Sequence, residues 1–434
     1  MRKVTASYVV IVMLLLVSLN SAYAVGSSGF ELATNSARSL GKANAVTADS
    51  DEASVIVFNP AGLTKLEGNQ LNMGIALGVP QFKYEGTNGR LDEESSISVV
   101  PIPSVYFSSN TPIEQLKVGI GANAPFGLQT RYSSDGNFKY TGYMNEIKTI
   151  SYNLAAAYEF TPWLSLGGSF IYVESQLKQV GKLNSNFITS TVIPGTTGLA
   201  DAPFELDTDG SGVGWSVGLL LTPAEKHSIG VFYRSSVRIH YKGVFDVDDL
   251  QGFILPLVFG GSSFHTSADA DITLPDSLTV GYKYRVNEKL DFEVDLGWTH
   301  WSKFDHIDIT FGTTNVVLNG LEPVKEGYDD TLSVHTAVSY KMNPTWTIST
   351  GYFFYEMAAS EANYSNAIPD GERHGIALGL QFNRKSYSID LSYVAEFLNA
   401  GDIDTDAGNN NGADIDGKYY GFISIVSIGV SYRF

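Results

Sequence analysis

From Phe422 to Phe434 the chain alternates strictly. Phe422, Ser424, Val426, Ile428, Val430, Tyr432 and Phe434 share one face, and Ile423, Ile425, Ser427, Gly429, Ser431 and Arg433 share the other. The first face is apolar and ends in aromatics; the second turns small and polar. A period of two marks a β-strand with two different environments. Similar segments recur at 70–80, 97–109, 116–124, 146–160, 164–178, 212–222, 227–245, 268–286, 289–311, 328–342, 345–356, 372–382, 386–397 and 418–434. The pattern predicts about fourteen strands, an even number, as bacterial membrane barrels have. Connections alternate between short turns, such as Thr161-Pro162-Trp163, Asn287-Glu288 and Asn343-Pro344, and long stretches such as 179–211 and 246–267. Short periplasmic turns and long extracellular loops are the habit of transmembrane antiparallel β-barrels. Closure is compulsory there, because lipid cannot satisfy an open strand edge.

Alternation also assigns faces. Over 227–245 it predicts Ile229, Val231, Tyr233, Val237, Ile239 and Tyr241 toward lipid, and Phe232, Arg234, Arg238, His240 and Lys242 toward the lumen. Leu278, Val280, Tyr282 and Tyr284 point out, with Lys283 and Arg285 in; Phe292, Val294, Leu296 and Trp298 point out, with Asp291, Glu293 and Asp295 in. A charge on the lipid face costs roughly 2–4 kcal/mol near the midplane. Inside, opposite charges and water hold it, and Glu293 and Asp295 are expected within reach of Lys283 and Arg285.

Residues 25–69 do not alternate. They are rich in Ala, Ser and Asn and include Asn59-Pro60-Ala61-Gly62-Leu63. Preceding a barrel (70–434), such a segment is expected to fold into the lumen as a hatch, the alternative being a disordered tail. Its apolar residues Phe30, Leu32, Leu40 and Val55–Phe58 favour the hatch. Pro60 biases Asn59 away from helix, and Gly62 permits a tight turn.

The start of the chain adds the compartment. Arg2 and Lys3 precede an apolar run from Tyr8 to Leu19 and then Ala22-Tyr23-Ala24. This is the layout of a signal peptide over residues 1–24, and the run is short for a spanning helix. The absence of cysteine excludes disulfides and thiolate metal sites. The 46 acidic residues outnumber 28 basic ones, which argues against nucleic acid as a partner. No HExxH pair or serine elbow occurs, so neither an enzyme nor a cofactor is expected. Asp207-Thr208-Asp209-Gly210 and Asp402-Ile403-Asp404-Thr405-Asp406 lack the glutamate of a calcium loop and read as solvated loop acids; no metal is expected.

An ordered set of short motifs resembles the FadL/TodX family of outer-membrane channels for long-chain fatty acids and hydrocarbons. Gly29-Phe30-Glu31-Leu32 is similar to the family's mature N-terminus. Ser39-Leu40-Gly41-Lys42-Ala43, Ala48-Asp49 and Asn59-Pro60-Ala61-Gly62-Leu63 are similar to its hatch. Ala124-Pro125-Phe126-Gly127-Leu128, Leu274-Pro275-Asp276-Ser277, Asp295 to Ser302 and Ile368 to His374 follow in order. The resemblance implies a fourteen-stranded barrel in the bacterial outer membrane, plugged by a hatch in which Phe30, Asn59, Pro60, Ala61 and Gly62 gate. It implies passive uptake of a hydrophobic ligand, with fatty acid the commonest cargo of the family and hydrocarbon the alternative. Capture at extracellular loops, a pocket above the hatch and sideways exit at the third strand are further implications. Gly119, Gly121 and Pro125 fit that strand, since glycine inside a strand marks weakness or close approach.

Ligand contacts are expected at Phe126 and Leu128, at the apolar loop residues Phe253, Leu255 and Phe259, and, for a carboxylate, at the lumen cations Arg234, Arg238 and Lys242, with Lys283 a further inward-facing candidate. The loop run reads equally as a small loop core, and the cations read more readily as partners of lumen acids. Lipopolysaccharide, membrane lipid and the barrel-assembly machinery are the other expected partners, and a monomer the expected state. A general porin, an outer-membrane hydrolase and an adhesin are the competing readings.

Overall fold

The computed structural model describes residues 28–87, 89–190, 193–315, 318, 324–405 and 415–434. The expected leader, residues 25–27 of the expected hatch and Asp406 lie outside them.

Strand β1 (Gln70–Gly86) pairs with β2 (Val100–Asn110) on one side and with the last strand, β14 (Gly417–Arg433), on the other, so the sheet closes. Between them run β3 (Leu116–Asn123 and Gly127–Arg131), β4 (Met144–Thr161), β5 (Leu164–Leu183), β6 (Ala202–Ala224) and β7 (His227–Arg234 and Val237–Val247). Then come β8 (Phe264–Leu274 and Ser277–Asn287), β9 (Leu290–Thr299 and His306–Phe311), β10 (Thr331–Lys341), β11 (Trp346–Tyr355), β12 (Glu372–Asn383) and β13 (Tyr387–Ile403). Every neighbouring pair is antiparallel, giving the closed fourteen-stranded barrel expected.

β5 and β6 rise higher than alternation suggested, and Asp207-Thr208-Asp209-Gly210 lies within β6 rather than in a loop. The outer face carries the apolar belt: Leu154, Phe170, Val217, Leu296, Ile376 and Val426 are exposed, as membrane lipid requires. Trp163, Trp346, Tyr387 and Phe434 ring the short-turn rim.

Among the described residues four wall strands are interrupted, β3 at 124–126, β7 at 235–236, β8 at 275–276 and β9 at 300–305. The interruptions correct one expectation. In β7, Phe232 and Arg234 turn inward as expected, but beyond Ser235-Ser236 the faces exchange. Val237, Ile239 and Tyr241 are buried in the lumen, while Arg238, His240 and Lys242 stand on the outer surface. The cause is one extra residue: β6 and β7 pair as Ser216↔Arg234 below and Ser211↔His240 above, a register shift of one. A one-residue slip sends every later side chain to the opposite face.

Residues 28–66 fill the ring. Helices α1 (Ala37–Leu40) and α2 (Val55–Phe58) and a 3-10 turn (Pro60–Lys65) pack on the inner faces of the wall. The segment contains too little helix to satisfy its own backbone, so wall side chains do it. Asp295 accepts from Val46 N (3.0 Å) and Thr47 N (2.9 Å), His335 Nδ1 meets Ala43 O (2.8 Å), and Ser349 donates to Gly41 O (2.9 Å). The fit is close enough to demand glycine in the wall. A Cβ on Gly230 would collide with the Thr47 carbonyl, and one on Gly218 with the Asn59 amide. Core overpacking of this kind costs about 1–3 kcal/mol.

Candidate functional site

The hatch floor is ionic. Lys42 and Lys283 share Asp49 and Glu293: Lys283 lies 2.7 Å from Asp49 and 3.2 Å from Glu293, and Lys42 is paired with Asp49 and sits 3.2 Å from Glu293. All four are buried. Lys283 thus meets Glu293 as expected, whereas Arg285 takes Asp291 at 3.5 Å. Arg38 makes a two-pronged contact with Asp390, 3.1 Å on each arm. Beneath this floor a cavity of about 820 Å³ faces the short-turn rim, lined by Arg285, Lys289, Lys341, Arg433, Asp51 and Asp291 among others.

The hatch residues singled out in the sequence are anchors here. Asn59 is extended (φ −167°), as a residue before proline should be. Its amide nitrogen donates to Thr47 O (2.8 Å) and to Leu219 O of β6 (3.0 Å), and its oxygen accepts from Ala61 N (3.2 Å). Pro60 and Ala61 lie against Gly167 of β5. Gly62 makes no left-handed turn; its missing side chain leaves room for Asp49 O and Val55.

Above the floor the lumen is aromatic. Phe30 lies 5.2 Å from Trp301, 5.2 Å from Phe304 and 5.8 Å from Phe126, ring centre to ring centre, and is 1% exposed. Edge and tilted contacts of this kind are the favoured aromatic geometries. The next residue, Glu31, pairs with Arg234 at 2.6 Å, and the Arg234 guanidinium lies 5.1 Å from the Phe126 ring. Arg234, Phe232, Leu32, Asn35 and Val57 line two adjoining cavities, of about 40 Å³ and 110 Å³. Each is smaller than the few hundred Å³ of an ordinary ligand pocket. A larger molecule must therefore displace something: Glu31 lines one of the two cavities, and Phe126, against which Phe30 packs, lines the other.

The peptide before Phe30 is clamped. Asp370 accepts from Gly29 N (3.0 Å), Arg373 donates to Gly29 O (2.9 Å), and Arg373 is held by Glu396 (3.1 Å). Gly29 has φ +62°, and a Cβ there would meet Trp301, so only glycine serves. Asp370, Arg373 and Trp301 were visible as family motifs without a role, and Glu396 was not singled out. For Arg373 and Glu396 the signal was present as charge at inward positions of β12 and β13.

Pro125 lies at the break in β3. Gly119 and Gly121 do not: the pairing with β2 and β4 is regular there, and the two glycines make room for Ile56 and the Tyr106 ring. Above Val105↔Ala122 the register between β2 and β3 stops. The N-terminal segment pairs with the break instead, Leu32 N donating to Pro125 O (2.8 Å) and Gly127 N to Phe30 O (2.9 Å). Proline is confined to strand edges, so Pro101 and Pro103 in β2 were a readable sign of this unpaired stretch. Leu128 is buried in the upper lumen core.

Of the four expected cations, only Arg234 reaches the chamber; Lys283 is held in the ionic floor by Asp49 and Glu293. Arg238 pairs with Asp271 on the outside (2.9 Å), and Lys242 lines an outer groove with His240. In the long loops, helices α3 (Ser185–Ser190) and α4 (Ile254–Phe259) lean together. Leu255 and Phe259 are buried with Leu206, Phe245 and Val247, whereas Phe253 is 77% and Leu257 66% exposed. Loop core and exposed apolar surface are thus two faces of one helix. At the base of another loop, burial pushes the Glu326 carboxyl up to about 8.

A closed barrel with an apolar belt, a polar-anchored plug and an aromatic chamber above it defines an outer-membrane channel protein. Residues 17–434 match the model of the family described as outer membrane protein transport protein (OMPP1/FadL/TodX), and the chain belongs to that family. Relatives include outer membrane protein P1 of Haemophilus influenzae (25% identical, covering 91% of this chain and 90% of the relative) and a long-chain fatty acid transport protein of Salmonella typhi (25%, 85% and 87%). Among solved structures, a Pseudomonas aeruginosa FadL homologue superposes with a TM-score of 0.81 at 17% identity, covering 94% of this chain and all of that one. The Pseudomonas putida toluene transporter TodX gives 0.71 at 18% over the same shares. The protein is an outer-membrane transporter of hydrophobic molecules.

Proposed function

We propose that the cargo is a long-chain fatty acid, bound by replacing the protein's own Phe30-Glu31. The observation that carries this is the pairing of an aromatic cage with Arg234 two cavities wide, already filled by a side chain pair of the same chemistry: an apolar group beside a carboxylate. The ligand's chain takes the place of Phe30 and its carboxylate the place of Glu31. Phe253 and Leu257 are the first landing surface, exposed at the extracellular end where cargo arrives.

Exit straight down is unfavourable for such a ligand. The path crosses the Lys42–Asp49–Lys283–Glu293 floor and enters a charged vestibule. Sideways exit at the β2–β3 break, where the wall ladder is missing, avoids both. The hatch residues Asn59, Pro60, Ala61 and Gly62 hold the floor in place, and Phe30 is the group that moves. Transport is then diffusion down a gradient, with no energy source.

A hydrocarbon cargo is the second reading, favoured by the fact that Glu31 already neutralises Arg234. Equilibrium binding to the purified protein separates the two. A saturated long-chain acid is expected to bind more tightly than the alkane of equal length, with affinity falling as pH is lowered through the acid's own titration. Equal affinities without pH dependence would move the cargo to hydrocarbons.

A further inference from the structure

We infer that the wall has a second lateral portal, at the seam between β6 and β7, opening from the same chamber as the β3 break. This rests on the hydrophobic-cargo reading above. Paired register between β6 and β7 ends at Ser216↔Arg234 and resumes at Ser211↔His240, so residues 235–239 face 212–215 without a regular ladder. At this point Ser235 N donates to Trp215 O (2.9 Å) and Trp215 N donates to the Ser235 hydroxyl (2.9 Å). A strand amide that must use a side-chain oxygen has lost its backbone partner.

β7 bends inward along the seam. A Cβ on Gly212 would strike the Arg238 carbonyl, and one on Gly214 would lie 2.7 Å from Val237 Cγ2. The β7 chain therefore lies over the inner face of two side-chain-free positions of β6, where glycine permits close backbone approach. The inner side of the seam is lined by Ser216, Ser235 and Val237, which belong to the cavity also lined by Pro125 and Phe126. The outer side presents Val213 and Trp215, 59% and 50% exposed, with the Tyr233 ring 5.3 Å from Trp215. The seam thus joins chamber to lipid through apolar groups.

The two interruptions are level. Asn123 pairs with Ser151, Ser151 with Val173, and Val173 with Gly212. They differ in what fills them: the N-terminal segment hydrogen-bonds into the β3 break, whereas backbone and side chains of β7 itself cover the two glycines of the seam. A ligand that has displaced Phe30 finds both exits on its own rung.

The double variant Gly214→Cys/Val237→Cys tests this, because the two β-carbons lie within disulfide reach. The oxidised protein is compared with the same protein after reduction, in cells taking up a labelled long-chain acid. Closing one of two parallel routes is expected to cut uptake by about half, reversibly, when the bridge geometry is met. Equal uptake before and after reduction overturns the portal. A measurement on the unaltered protein guards against misassembly: a photoreactive long-chain acid is activated in vesicles and its adducts mapped. Adducts on Val213 or Trp215, on the outer side of the seam, are expected along with those on Phe126 and Phe232, and in excess of those on Leu154 and Phe170 elsewhere on the lipid face. Adducts on Phe126 and Phe232 alone overturn the portal and leave the cargo reading intact. No adduct on any chamber residue removes both.

Discussion

Replacing Arg234 by glutamine lowers the affinity for a long-chain fatty acid by at least about tenfold, the loss of one charge-assisted hydrogen bond being worth about 1.5–3 kcal/mol. The affinity for the matched alkane stays unchanged. Arg234 is the one expected cation that faces the chamber, and its present partner is Glu31 at 2.6 Å. The complementary change, Glu31→Gln, is expected to raise fatty-acid affinity by releasing Arg234 from an internal competitor. Titration of both variants and the double variant with a fluorescent acid checks the argument. Opposite shifts from the two single changes are expected, and like shifts would mean that Glu31 supports the site rather than competing for it.

Replacing Lys283 by methionine is expected to loosen the hatch while leaving the barrel wall formed. Lys283 is buried between Asp49 of the hatch and Glu293 of the wall. Removing one member of a buried ion network leaves opposite charges uncompensated, which costs about 3–5 kcal/mol. That cost falls on the floor, because β8 and β9 keep their ladder of backbone bonds from Ser277↔Thr299 downward. The readout is single-channel conductance together with proteolysis of residues 28–66. Steady ion leakage and rapid trimming are expected in the variant and not in the parent. A variant with a tight hatch and a weakened barrel would assign Lys283 to wall stability instead.

Much of this architecture was legible in the chain. Strict alternation, as in 422–434, gave the strand count, the closure and the outward faces, because lipid on one side and packed interior on the other leave little choice. The inward placement of Lys283, Glu293 and Asp295 followed from the same rule. The rule failed at Ser235-Ser236, where one inserted residue exchanged the faces and carried Arg238 and Lys242 outside. Nothing in a stretch of alternating residues announces a bulge whose two flanks both look regular. The extra reach of β5 and β6 was missed for a related reason: above the membrane a strand loses its apolar face and resembles a loop. In the chamber, Arg234 and Phe126 were expected contacts, but their union through Glu31 and Phe30 depends on residues about a hundred or more positions apart and could only be seen folded.

The most direct test is uptake of a labelled long-chain fatty acid by cells lacking their own channel, with and without this protein, beside a matched hydrocarbon. Fatty-acid uptake is expected to depend on the protein and to fall in Arg234→Gln. Passage of small hydrophilic sugars with no uptake of either hydrophobic solute would contradict that expectation.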